Sequence, residues 1–365
     1  MAYDVIVIGA RCAGSPLGML LARAGRSVLV VDRATFPSDS LSTHFVRPEG
    51  AALLAQWGLL DRVLATGCPP LTAMKVTGET GALEEFDYPE GVIGLCPRRS
   101  IIDDILVQAA REAGAEVREG FSLSDVVRDG EGRVTGITGR NAEGQTVNED
   151  AAIVVGADGL HSKLAQLVQP EEYGRVDSLV CAYWSYFSGI DIGPRVEVLA
   201  APGAGLLTFP THNSLHCVAA VRPVGDFEAY RADIEGVFAQ TVASFGPAAT
   251  SRLQHATRAE RWYGTADVPF YLRKPYGPGW ALAGDAGFHV DPTLGLGMSK
   301  AFTDAATLAP ALIAALNDPS SFDTQLQRFH QQRDDTWFEE AQNTVYASSM
   351  QARVAPAQLS RYAFA

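Results

Sequence analysis

Residues 3–8, YDVIVI, make a continuous apolar run that stops at Gly9, the pattern of a parallel strand buried on both faces. A glycine turn follows, Gly9-Ala10-Arg11-Cys12-Ala13-Gly14, and then Leu17, Leu20, Leu21 and Ala24 take helical spacing until Gly25 ends it. A second buried run, Ser27 to Val31, closes on Asp32. Parallel strands need a crossover between them, so this opening commits the chain to a β-α-β unit and hence to an α/β fold.

At such a strand-to-helix turn the first backbone N–H groups of the helix have no partner inside it, and the helix dipole adds positive potential. A pyrophosphate fits there, against Gly9, Cys12, Ala13 and Gly14. Where the G-x-G-x-x-G pattern has its second glycine this chain has Arg11, placed to shield or bind the ligand. Asp32 ends the second strand, where a carboxylate can accept both hydroxyls of an adenosine ribose, and Arg33 beside it can flank the adenine.

Far away, Trp280 to Gly284 reads as a short buried strand delivering Asp285 to its carboxyl end. A turn with Pro292, Gly295 and Gly297 then opens a long helix. The two glycines let the backbone of Leu294, Leu296 and Met298 pass close to a flat ring, and Asp285 can accept a ribityl hydroxyl. Taken with Gly9 to Asp32, this second segment points to FAD.

Composition bounds the rest. A chain of 365 residues with 47% apolar content can bury a sizeable core, in one large or two interleaved domains. A net charge of −13 with no Lys/Arg run argues against nucleic-acid and anionic-membrane partners. Apolar runs are strand-sized, well short of the roughly 20 residues a membrane helix needs, so no stable membrane insertion is expected. Five cysteines without C-x-x-C spacing suggest neither a disulfide framework nor a metal site. With the first strand starting at about Tyr3 and no leader ahead of it, a cytoplasmic setting with reduced thiols is the expectation.

Along the chain, Ile101 to Ala113 has amphipathic spacing, Val126 to Gly139 reads as a hairpin turning at Asp129-Gly130, and Ala151 to Val155 as another buried strand. From Asp177 to Val221 aromatic and apolar residues alternate between Pro/Gly turns, as in antiparallel sheet. Helical stretches Met298 to Leu316 and Phe322 to Tyr346 close the chain, with a short remainder expected to fray. The expected fold is a Rossmann-like FAD-binding domain with a parallel sheet (residues 1–70, 98–176 and 270–365) plus an inserted, mostly antiparallel β-sheet substrate domain (71–97 and 177–269).

Three blocks in order, Gly9 to Gly14 with Asp32, then Val155-Gly-Ala-Asp158-Gly-Leu-His-Ser162, then Gly284-Asp285 to Gly297, make the chain resemble the FAD-dependent monooxygenase superfamily. Its para-hydroxybenzoate hydroxylase-like fold is shared with geranylgeranyl reductases and flavin halogenases. The resemblance implies pyrophosphate at Ala13 and Gly14, ribose at Asp32, ribityl at Asp285, and isoalloxazine against Gly295 to Met298. It also implies cofactor contacts from Arg99, Arg47 and the backbone of Val126. Asp158 belongs to a segment the family associates with FAD and NAD(P)H, although Ala165 stands where its terminal arginine is usual.

Departures narrow the reaction. The tryptophan-x-tryptophan signature of halogenases is missing, Trp184-Ser185-Tyr186 being the nearest approach. The tyrosine-x-tryptophan-x-phenylalanine-proline strand of geranylgeranyl reductases keeps Phe209-Pro210 but has Gly205 and Leu207 before it. The expectation is therefore a monooxygenase using NAD(P)H and O2, through a flavin hydroperoxide, to hydroxylate or epoxidise a mainly apolar small molecule; a C=C reductase is the alternative. His44, His289 and Asp291 are the candidates for steering protons. Tyr183, Trp184, Tyr186, Phe187 and Phe209 either line a substrate pocket or fill a sheet core.

Overall fold

A computed structural model describes residues 2–40, 42–77 and 83–351, so the C-terminal remainder from 352 onward lies outside the described residues. The strand Tyr3–Ile8 centres the first sheet, with Val28–Val31 parallel on one side and Thr146–Gly156 parallel on the other. Glu116–Arg118 and Trp280–Leu282 extend it outward, also in parallel. The helices Gly14–Arg23 and Arg99–Glu112 belong to one core with the two long helices that close the fold, Gly297–Asn317 and Phe322–Gln351. That core joins Leu17 and Leu21 to Phe302, Leu308, Leu312 and Phe329.

The strand Thr146–Gly156 is longer than the apolar run suggests, because its polar first half pairs antiparallel with Val134–Arg140, which returns to Ser122–Arg128. The turn between those two falls at Asp129, whose N–H donates to Arg133 O at 3.0 Å.

The second sheet is antiparallel through Val180–Ser188, His216–Pro223, Ala204–Pro210 and Arg195–Ala201. Ala73–Thr77 and Leu83–Asp87, from far upstream, extend it at one edge, the first of them running parallel to Arg195–Ala201, and the short strands Thr257–Arg258 and Tyr263–Thr265 pair with Val180–Ser188 at the other. Its period-2 pattern makes two apolar faces. Ala182, Trp184, Tyr186, Phe209 and Ala219 share a cluster with Phe45 and Cys96. Cys181, Tyr183, Phe187, Val218 and Ala220 face Tyr230, Phe238 and Val242 on helices Phe227–Ala232 and Ile234–Ser244. The helix Pro247–Gln254 follows them, so helices as well as strands make up the segment between Asp177 and residue 269. A small third sheet, Glu172–Val176, Phe270–Arg273 and Phe288–His289, lies at the junction. Among the described residues no helix is long and apolar enough to cross a membrane.

Candidate cofactor and substrate site

Register places the distant motifs side by side. Ile8 pairs with both Val31 and Gly156, and Gly156 pairs with Leu282, so the carboxyl ends of four strands form one row. Gly9, Asp32, Asp158 and Asp285 follow from that row, at the edge where open parallel sheets hold ligands. The turn at Gly284 closes against the first helix: a Cβ built there would stand 3.0 Å from Ala13 Cβ.

No side chain caps the helix Gly14–Arg23, nor Gly297–Asn317, whereas Ser162 caps Lys163–Val168 and Asp233 caps Ile234–Ser244. Two uncapped helix starts at one sheet edge suit negative charge from outside the chain. A Cβ built on Gly297 would meet no atom within 4 Å, leaving open space over the second helix start. Pro292, Gly295 and Gly297 are half-buried around it, and Leu296 and Met298 point into the core.

The carboxylate of Asp32 braces the glycine turn: Oδ2 accepts from Ala10 N–H at 2.7 Å and Oδ1 from Ala34 N–H at 2.8 Å. Each oxygen keeps a further acceptor position. Arg33, just beyond it, is exposed. Arg11 donates to Asp103 Oδ2 at 2.6 Å and Ser38 Oγ at 2.9 Å, and Arg99 reaches the same Asp103 oxygen at 2.9 Å. Two guanidinium groups thus share one fully buried carboxylate, leaving a net positive charge beside the phosphate turn; Cys12 completes the cluster, with Sγ 3.4 Å from Asp103 Oδ1. Asp103 was not singled out in the sequence, although its i, i+4 spacing from Arg99 was the signal to follow.

Other predicted residues have local structural partners. Asp158 caps a short helix, accepting from Ser162 Oγ at 2.5 Å and Lys163 N–H at 2.6 Å, and burial pushes its pKa up. Asp291 fastens the Pro292 turn, accepting from Thr293 N–H at 2.9 Å and Ser348 Oγ at 2.7 Å, again with its pKa raised by burial. His289 engages Pro269 O through Nδ1. Arg47 donates its N–H to Ser299 Oγ at 3.0 Å, and its guanidinium pairs with Glu49 at 3.1 Å. Val126 lies in mid-strand opposite Ile137, within the hairpin and not in the row of strand ends.

His44 is 2% exposed and sits in the left-handed backbone region at φ 40°. A carbonyl can only accept, so Nδ1–H donates to Cys96 O at 3.1 Å, and Nε2 accepts from Tyr186 OH at 2.9 Å. Arg98 covers the other part of this group, 3.6 Å over the Tyr186 ring and bidentate to Glu260. Burial, then the Arg98 charge, push the His44 pKa down to about 3. The imidazole is therefore neutral at working pH, and any proton it passes must travel through Tyr186.

Above about 6.5, the ordinary histidine value, both folded and unfolded imidazoles are neutral and the stability is intact. As pH falls from there toward 3, the unfolded chain takes up a proton that folded His44 refuses. That is a loss of about 1.4 kcal/mol per pH unit. Urea unfolding across this window should show a shallower acid loss in His44→Asn, asparagine being tolerant of positive φ; equal slopes would contradict the assignment.

A small apolar pocket lies between the Pro292 turn and the second sheet, lined by Thr43, Pro292 and Thr293 on one side and Ala182, Leu207 and Ala219 on the other. Its free volume is about 20 Å³, room for a single water, Gln351 stands in its wall, and none of its lining residues is charged. Of the aromatic residues proposed for such a pocket, none lines it. Trp184, Tyr186 and Phe209 are on the same face but packed, and Tyr183 and Phe187 point to the opposite one.

A family profile described as FAD binding domain matches residues 2–337. The chain belongs to that family. The expected kinship and fold class therefore stand, and an FAD-dependent oxidoreductase family is its setting. Digeranylgeranylglycerophospholipid reductase 1 of Methanopyrus kandleri is 26% identical over 98% of this chain and 91% of its own length. Digeranylgeranylglycerophospholipid reductase 2 of Methanothermobacter thermautotrophicus is 30% identical over 58% of this chain. The chain spans only 54% of that protein and 65% of the tryptophan 2-halogenase of Chondromyces crocatus, a relative of 26% identity.

Among solved structures, the myxobacterial chondrochloren halogenase CndH superposes with a TM-score of 0.88 at 24% identity, covering 99% of this chain and 87% of its own. PqsL, a probable FAD-dependent monooxygenase of Pseudomonas aeruginosa, gives 0.82 at 20%, covering 98% of each. At these identities the likeness is one of fold, and three chemistries share it.

Proposed function

We propose that the protein is an FAD-dependent monooxygenase that hydroxylates or epoxidises a mainly apolar small molecule, using NAD(P)H and O2 in the cytoplasm. The uncharged lining between the Pro292 turn and the second sheet carries this reading: an apolar substrate that widened this small gap would meet no charged group. Bound FAD supplies O2 activation once reduced. The chain's own part is to hold and exclude. Ala13, Gly14 and the Arg11/Arg99 pair meet the pyrophosphate, Asp32 the ribose, and Asp285 the ribityl chain. Ala182, Leu207 and Ala219 keep water from the reacting face. On this reading residues 1–70, 98–176 and 270–365 form the cofactor domain, and 71–97 with 177–269 the substrate domain.

The reductase relatives support a second reading, reduction of a C=C bond. Against it, Gly205 and Leu207 replace the two aromatic residues of the reductase strand, and both line the pocket. Mixing the reduced protein with O2 in a stopped-flow instrument separates the two. An absorbance transient between the reduced and oxidised flavin spectra is the monooxygenase result. Direct reoxidation with no transient, together with alkene reduction, is the reductase result.

A further inference from the structure

The first turn of the helix Gly297–Asn317 buries a lysine completely: Lys300 is 0% exposed, and its Nζ has no hydrogen-bond partner. Its nearest carboxylate oxygen is Asp285 Oδ1, at 3.7 Å, and the Phe288 ring lies 5.0 Å away. One turn further on, buried Asp304 accepts from Gly284 N–H at 2.8 Å through Oδ2, while its Oδ1 is unpartnered. Arg333, from the last helix, covers Phe288 at 5.6 Å. Lys300, Asp304 and Arg333 thus pack around the Gly284–Phe288 turn, Arg333 paired with Asp334 at 2.8 Å, and Asp285 within the turn, 37% exposed, reaches the open edge of the sheet.

A buried ammonium without hydrogen bonds costs several kcal/mol after relaxation, so a chain that folds around one must offset that cost. Asp304 supplies part of the offset, and burial raises its pKa even with Lys300 and Arg333 opposing that rise. The other counter-charge is Asp285, whose side chain is partly exposed.

We propose that Lys300 is a positioning residue for the cofactor: from beneath the Gly284–Phe288 turn it holds the Asp285 carboxylate so that its free oxygen accepts a hydroxyl of the FAD ribityl chain. This rests on the FAD reading above. Lys300 touches no part of the ligand. It acts through Asp285, and its effect is confined to the ribityl-to-ring half of the molecule.

Two ligands and a double-mutant cycle test it on the full-length chain. FAD probes the whole site, and ADP, which lacks the ribityl chain and ring, probes only the Gly9-to-Asp32 half. Lys300→Met should weaken FAD by about tenfold, the weight of one charge-assisted hydrogen bond, and leave ADP affinity unchanged. Asp285→Asn should do the same, and the double variant should bind FAD no worse than either single one. Additive losses, unchanged FAD affinity in Lys300→Met, or equal losses of ADP and FAD would each overturn the proposal. Should Lys300→Met not fold, Lys300→Gln carries the same expectations. A wild-type chain that binds ADP but not FAD, or neither, would instead count against the FAD reading itself.

Discussion

Gly9→Val should yield a protein that has lost both its cofactor and much of its stability. Gly9 turns the chain at φ 101°, and a Cβ there would stand 2.3 Å from Ala157 O and 2.6 Å from Ala157 C. These are backbone atoms of the neighbouring strand's extension, which cannot rotate aside. The strain of a non-glycine residue at such a φ and the steric overlap are each worth about 1–3 kcal/mol, giving about 4 kcal/mol together. The displaced peptide is the one that feeds the phosphate turn, so FAD should be lost along with stability. Gly25→Ala is the matched control: φ is 78°, but a Cβ would meet nothing within 4 Å, so only the backbone term of about 1–2 kcal/mol applies. Urea unfolding and the flavin-to-protein absorbance ratio measure both. A Gly9→Val protein that purifies yellow with a wild-type midpoint would contradict the placement.

Much of this edge was legible in the sequence because it is built from backbone rules. A continuous apolar run between glycines has few alternatives to a buried parallel strand, and Asp32, Asp285 and Gly297 sit where strand ends and helix starts fall. What sequence does not specify is which face of a strand meets which neighbour. Tyr183 and Tyr186 are equally aromatic in an alternating strand; only the helices around Tyr230 and Phe238 decide that Tyr183 faces outward and Tyr186 toward His44. Side-chain capping is hidden in the same way. Asp158 and Asp291 look like ligands in their motifs, and their short-range work becomes visible only when Ser162, Thr293 and Ser348 are in place. Lys300 did leave a sequence signal: it is the one lysine in the helix Gly297–Asn317, with Asp304 at i+4.

Leu207→Trp should separate the two halves of the site, abolishing substrate use while sparing the cofactor. Leu207 lies on the strand Ala204–Pro210, within the pocket wall that also includes Gly205, Ala219 and Val221. Ala182, Gly205 and Ala219 keep bulk off this wall, Gln351 packs over Gly205, and an indole at 207 would fill the small gap that remains. Tryptophan there puts back one of the two aromatic residues of the reductase strand, so the variant also asks whether opening that wall is what distinguishes this chain. Because the Gly9 turn, Asp32 and Asp285 belong to the other sheet, FAD content and flavin reduction should match the wild type. An apolar aromatic probe such as naphthalene, followed by quenching of flavin fluorescence, should bind more weakly by on the order of 100-fold, the discrimination that a filled hydrophobic pocket can supply. Substrate-dependent turnover should fall in parallel. If the probe binds Leu207→Trp as it binds the wild type, the substrate lies elsewhere, and the uncharged lining beside Pro292 is only a packing gap between the two sheets.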